Sequence, residues 1–160
     1  MVMLRKRSIL SLLLALVATV LISCGGANEN TPPPTYSNEQ IEQIQRALTP
    51  VKQARKRLRE LEPLLNQQQW SDASSLLHGP LGGLRREMSY VTRNLLPKDQ
   101  EKAKDYAKAL FQDLEKVDAA LEREVASRAL QNYDRALNDF DNYLSLIPDQ
   151  QASENRSLDK

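Results

Sequence analysis

Between Ile41 and Ile147 apolar side chains recur at steps of three and four residues, and no stretch alternates with the period of two that a half-buried strand requires. A first seam carries Ile41, Ile44, Leu48, Val51, Ala54, Leu58, Leu61 and Leu65. A second carries Leu77, Leu81, Leu84, Met88, Val91 and Leu95, an a/d pattern. Ala103, Ala107, Leu110, Leu114, Val117 and Leu121 make a third, flanked by Tyr106 and Phe111. The fourth is Ala126, Leu130, Tyr133, Leu137, Phe140, Leu144 and Ile147, stopped by Pro148. Four amphipathic helices with short connections predict an all-α fold, an antiparallel up-down four-helix bundle over residues 37–148.

Proline and glycine set the expected boundaries. Thr49-Pro50 reads as an N-cap with proline at the first helical position, so a helix or a fresh turn starts there. Pro63 is expected to kink or end the first helix, and Asn66 to Gln69 form a polar connection. The second helix opens near Ser71-Asp72, bends at Gly79-Pro80 and ends at Leu96-Pro97; the third runs from Lys98. Residues 120–127 contain neither Gly nor Pro, so a single long helix through Glu122 stands beside the four-helix reading. Trp70, the one tryptophan, is expected to cap one end of the core.

Residues 1–23 read as an address and not as part of the fold. Arg5, Lys6 and Arg7 precede a short apolar stretch, Ile9 to Ile22, whose fourteen residues fall short of the roughly 20 that span a bilayer. Leu21-Ile22-Ser23-Cys24-Gly25 then resembles the lipobox of bacterial lipoproteins, in which lipid is attached to the cysteine thiol and cleavage occurs just before it. Cys24 is the chain's one cysteine, which also excludes an intrachain disulfide. Residues 24–36 form a Pro-rich linker, with Pro32, Pro33 and Pro34 imposing polyproline II geometry. At ~3.1 Å per residue it reaches up to roughly 40 Å from a membrane. Residues 149–160 are a polar tail.

The residues offer no basis for an enzyme. One His and one Cys fall short of a four-ligand zinc site, and no P-loop, nucleophile elbow or Glu-x-x-His pair is present. His78 reads as a partly buried, hydrogen-bonded structural histidine; a metal-binding bundle would need Asp72 or Glu87 to reach it through folding. Asp139 and Asp141 point about 200° apart on a helix and cannot chelate one ion together. Asp134, Asn138 and Asp141 share a face too sparse for a calcium cage.

Charge is unevenly placed. Lys+Arg number 22 against 21 Asp+Glu, a balance that excludes a strongly basic nucleic-acid binder. Residues 37–97 nevertheless carry a net +3 and residues 98–148 a net −3. Lys52, Arg55, Lys56 and Arg59 fall at i, i+3, i+4 and i+7, one basic stripe, and Arg86 and Arg93 share a face of the second helix. Like charges gathered in this way repel unless a partner neutralises them, so these six residues are the candidate surface for docking on an acidic partner.

The stretches AxxRLxELE (Ala54 to Glu62), HGPLGxLRxxMxY (His78 to Tyr90) and RNLLPKDQ (Arg93 to Gln100) resemble the PsbQ-like proteins of cyanobacteria, the CyanoQ family. So do LFxxLxxxDAA (Leu110 to Ala120) and DFDxYLxLIP (Asp139 to Pro148). The resemblance implies a lipid-anchored four-helix protein on the lumenal side of the thylakoid membrane. It implies an extrinsic, non-catalytic subunit of photosystem II that supports the oxygen-evolving complex and its retention of calcium and chloride, with PsbO and the antenna protein CP47 as neighbours. The manganese-calcium cluster belongs to that complex, so no cofactor beyond the lipid on Cys24, no small-molecule substrate and no nucleic acid is implied. A generic envelope lipoprotein acting as a helical adaptor would share the lipobox, linker and bundle but not the central motif.

Overall fold

The computed structural model describes residues 34–149. Cys24, the signal segment, most of the Pro-rich linker and residues 150–160 lie outside the described residues. Within them the chain is all-helical, with no strand. Six helices follow one another: α1 (Asn38–Leu58), α2 (Leu61–Asn66), α3 (Trp70–His78), α4 (Leu84–Arg93), α5 (Pro97–Glu122) and α6 (Ala126–Ser145). Two of the four expected helices are therefore each divided in two.

The divisions have local causes. Ser37 opens α1 with a capping box: its hydroxyl accepts from the Gln40 N–H (3.2 Å) and the Gln40 side chain accepts from the Ser37 N–H (3.0 Å). Pro50 does not restart the helix as expected but lies inside α1. Its ring deprives only the Arg46 carbonyl of a partner, and Arg46 is exposed to water, which softens that loss. Pro63 acts upstream of its own position. Its missing N–H and its ring both bear on the carbonyl four residues back, Arg59, where α1 gives way to α2. Pro63 itself then sits in the first turn of α2, where no N–H is required.

α2 and α5 both end in Schellman motifs built without glycine. After α2, Gln68 adopts φ 56° while the Gln69 N–H reaches the Leu64 carbonyl (2.9 Å) and the Gln68 N–H the Leu65 carbonyl (3.2 Å). After α5, Glu124 has φ 56°, Val125 N–H bonds Ala120 C=O (2.9 Å) and Glu124 N–H bonds Leu121 C=O (3.0 Å). The long-helix alternative through residues 120–127 is thereby excluded.

Gly79-Pro80 produces a full break, not a bend, and α4 begins only at Leu84. Gly82 is needed inside this turn, because a Cβ there would lie 2.6 Å from the His78 carbonyl oxygen. Pro97 takes the first position of α5 behind an extended Leu96.

α5 and α6 lie along each other, α1 packs on α4 and touches α6, α2 packs on α6, and α3 and α4 pack on α5. The first two seams are buried as expected, apart from half-buried Leu77. On α6 the inward face is rotated from the expected one. Ala129, Tyr133, Ala136, Phe140 and Tyr143 are buried, whereas Ala126, Leu130, Leu137 and Leu144 are half-buried. Ala103 and Ala120 on α5 and Ala129 and Ala136 on α6 are buried small residues, leaving room for the α6 aromatic rings. Tyr143 shows how one ring holds two helices: its hydroxyl donates to the Met88 carbonyl (2.9 Å) and takes a bond from the Thr92 hydroxyl (3.1 Å). Burial pushes its pKa up to about 12. Trp70 packs half-buried against the core at the start of α3.

Tyr36, assigned to the linker from sequence, belongs to the folded part. Its hydroxyl donates to Asp99 Oδ2 (2.8 Å) and accepts from the Leu96 N–H (3.0 Å), which fixes residue 36 at the α4–α5 corner. Burial, the largest cause, pushes its pKa up to about 12.

Candidate functional site

The six basic residues singled out in the sequence do not form one surface. Arg55 leaves the stripe altogether: it is buried, and its guanidinium forms a bidentate bridge to Asp141 of α6, Nε to Oδ1 and Nη2 to Oδ2, both 2.8 Å. A seven-residue spacing places an arginine on a helix side but does not say whether that side is covered; here the α1–α6 seam covers it. The Arg55 bonds hold the Asp141 carboxyl below the usual carboxylate range, against the opposing effect of partial burial. Lys52, Lys56 and Arg59 remain exposed along this flank. Lys52 Nζ donates to Gln45 Oε1 (3.4 Å), and Gln45 in turn donates to the Pro148 carbonyl (2.7 Å) just beyond α6.

Arg86 and Arg93 belong to a different flank. α4 meets α1 on one side, where Gly83, Leu84 and Glu87 face Pro50, Ala54 and Arg57, and meets α5 on the other. Arg93 is exposed on the α5 side, its guanidinium 5.9 Å from the centre of the Tyr90 ring. Arg86 is exposed and contacts its neighbour Glu87 (2.9 Å). Tyr90 is the one large apolar side chain exposed among the described residues, at 53%.

A groove runs along the α4–α5 side. At one end, a space of about 230 Å³ is lined from α4 by Arg85, Ser89, Thr92 and Arg93. From α5 it is lined by Lys104, Ala107, Lys108 and Phe111. Both sets follow helical rows of i, i+4 and i+7, so this is the seam between two helices seen from solvent. Next to it, sharing Arg85 and Phe111, a space of about 220 Å³ has Leu77, Leu81 and Leu114 on its floor. On its rim stand His78 paired with Asp118 (Nε2–Oδ1 2.9 Å) and Arg85 paired with Glu115 (Nη2–Oε1 3.1 Å). The Arg85 guanidinium lies 4.2 Å from the Phe111 ring centre, a cation–π contact at the junction. Motif residues from His78 to Tyr90 thus meet those from Leu110 to Ala120 across one groove.

Arg85, Lys104 and Lys108 were not legible as part of a site. Lys104 and Lys108 stand in the half of the chain whose net charge is negative, and they meet Arg85 and Arg93 only because α4 and α5 lie side by side. His78 is exposed, not partly buried, because it stands on the groove rim; it converges with Asp118, not with Asp72 or Glu87, and no cluster of three or more His, Cys, Asp or Glu occurs among the described residues. Asp139 and Asp141 do face apart: Asp141 turns to Arg55, and Asp139 lies near Asp113 and Lys116 of α5. No described helix is long and apolar enough to cross a membrane.

The described residues form an all-helical domain that carries basic flanks and the five motifs. Residues 3–148 match the PsbQ family, described as oxygen evolving enhancer protein 3, and the chain belongs to that family. It is 46% identical over 145 residues to CyanoQ of Synechocystis sp. (strain ATCC 27184 / PCC 6803 / Kazusa), across 90% of this chain and 97% of the relative. The resemblance read from the motifs is borne out, and the family is one of photosystem II-associated proteins.

Proposed function

We propose that this protein is a non-catalytic extrinsic subunit of photosystem II that stabilises the oxygen-evolving complex on the lumenal side of the thylakoid membrane and helps it retain calcium and chloride. The observation that carries the reading is family membership over nearly the whole chain, with 46% identity to CyanoQ. The helix contacts support a four-helix bundle in which α1–α2 and α3–α4 each make one broken rod. A diacylglycerol-type lipid on Cys24 tethers that bundle through the Pro-rich linker, and each buried acyl CH₂ contributes about 0.8 kcal/mol to attachment. Confinement to the membrane surface raises the effective concentration beside the complex, so modest docking affinity suffices.

The role is physical. A rigid bundle presents basic side chains, Lys52, Lys56, Arg59, Arg86 and Arg93, to an acidic lumenal face, with PsbO and CP47 as its neighbours there. Docking shields the site from bulk water and slows ion loss, while the manganese-calcium cluster stays with the partner complex. The test is oxygen evolution by thylakoids lacking this protein, in calcium- and chloride-limited medium. Activity should fall more there than in replete medium, and added protein should restore it. Equal activity with and without the protein under ion limitation would contradict the reading.

A further inference from the structure

We propose that the α4–α5 groove is a docking site for an extended acidic segment of a partner protein, bearing an apolar side chain that seats against Phe111. The inference rests on the docking role above and assigns that role to one surface and one chemistry.

Charge is the first argument. Half the residues lining the outer end of the groove are cations and none is an anion. Arg85 already has Glu115, but Arg93, Lys104 and Lys108 have no carboxylate within 4.0 Å among the described residues. Lys104 and Lys108 are one turn apart on α5, so the pair is mutually repulsive until an anion lies between or beside it. The α1–α6 flank differs, because its most inward cation is already neutralised by Asp141.

Shape and polarity choose the occupant. From Lys104 to Asp118 the groove follows α5 for fourteen residue steps, about 21 Å at 1.5 Å per residue. An extended segment of about six residues spans that length. Its acidic side chains meet Arg93, Lys104 and Lys108, and an apolar side chain reaches Phe111 and Leu114 at the junction. Farther along, the rim carries the carboxylates of Glu115 and Asp118, which accept hydrogen bonds from peptide N–H groups. A lipid acyl chain would have to lie beside those two carboxylates and would offer them nothing, so a peptide fits the whole groove and an anionic lipid only its outer end.

The experiment uses the lipid-bearing protein rebound to salt-washed photosystem II. The triple variant Arg93→Glu, Lys104→Glu and Lys108→Glu should bind at least about tenfold more weakly at low ionic strength, the deficit shrinking as salt screens the contact. The Lys104→Gln, Lys108→Gln variant should lose a smaller factor in the same direction. The control Arg123→Glu, Arg128→Glu, two exposed residues at the α5–α6 turn outside the docking set, should change affinity less than about threefold. A photoreactive phenylalanine analogue replacing Tyr90 should cross-link to a partner peptide rich in Asp or Glu. Wild-type affinity in both groove variants, whose melting curves verify folding, overturns the groove assignment while the docking role stands. A cross-link to lipid overturns it in favour of a membrane surface. Failure of the unaltered protein to bind photosystem II removes the docking role, and the groove's partner with it.

Discussion

Replacing Asp141 by Ala separates a structural arginine from a docking one. The change removes two charge-assisted hydrogen bonds of 2.8 Å from a guanidinium whose side chain is only 10% exposed. Arg55 Nη1 is already buried without a partner, so the variant leaves the whole guanidinium without its counter-charge. Bonds to charged groups contribute about 1.5–3 kcal/mol each when fully buried. Asp141 is 58% exposed, however, and solvent screening reduces the pair to a total of about 2 kcal/mol. For a folded unit of this size that corresponds to roughly 8 °C in Tm. Arg55→Met should cost less, about 1 kcal/mol, because its chain still fills the α1–α6 seam and no buried charge remains. The double variant should then be no less stable than Asp141→Ala alone, a coupling of about 1–2 kcal/mol in a double-mutant cycle. The sign with pH follows from the lowered Asp141 pKa: the contribution is present above the ordinary value of 3.8 and is lost as pH falls through the lower folded value. Thermal melts of the four proteins at pH 7 and across the acid range measure all of this. Additive single-variant effects would refute the claim that the pair is a structural unit, and so would an Asp141→Ala protein as stable as the parent.

Glycine exchanges at two turns should act in opposite directions. Gly82→Ala places a Cβ 2.6 Å from the His78 carbonyl oxygen and should destabilise by about 1–3 kcal/mol, whereas Glu124→Gly relieves a left-handed backbone and should stabilise by about 1 kcal/mol in the same melts. Asp139→Asn should raise Tm at neutral pH. Burial first, and the Asp113 charge second, push the Asp139 carboxyl up, so its ionised form opposes folding; the advantage of Asn should close as pH falls towards 3.8 and the native carboxyl takes up its proton. Cys24→Ser should shift the protein from the membrane pellet to the soluble fraction, as expected for a lipid-tethered domain.

The helical class and the interior of the first rod were readable because a buried helix face must repeat every three to four residues, and Ile41 through Leu65 do so without exception. The breaks were less legible. Pro63 announces a discontinuity but expresses it at Arg59, and Pro50 announces one although α1 runs through it. The polar run Asn66 to Gln69 marks the end of α2, but no glycine marks that end or the end of α5, since Gln68 and Glu124 adopt the conformation that glycine usually supplies. On α6, Leu130 and Leu137 outweigh Ala129 and Ala136 in any hydrophobicity count, yet the alanines are the buried pair. The basic residues show the same limit. Arg55 and Lys56 are neighbours in sequence, but helix packing buries one against Asp141 and leaves the other in water. The grouping of Arg93 with Lys104 and Lys108 exists only once α4 and α5 are side by side.

The most direct test of the account is affinity purification of a C-terminally tagged protein from detergent-solubilised thylakoids, with oxygen evolution measured on the eluate and its partners identified by mass spectrometry. Recovery of oxygen-evolving photosystem II is the predicted result. Recovery of envelope proteins without photosystem II would contradict it, and would mean that a PsbQ-family fold serves here as an adaptor elsewhere.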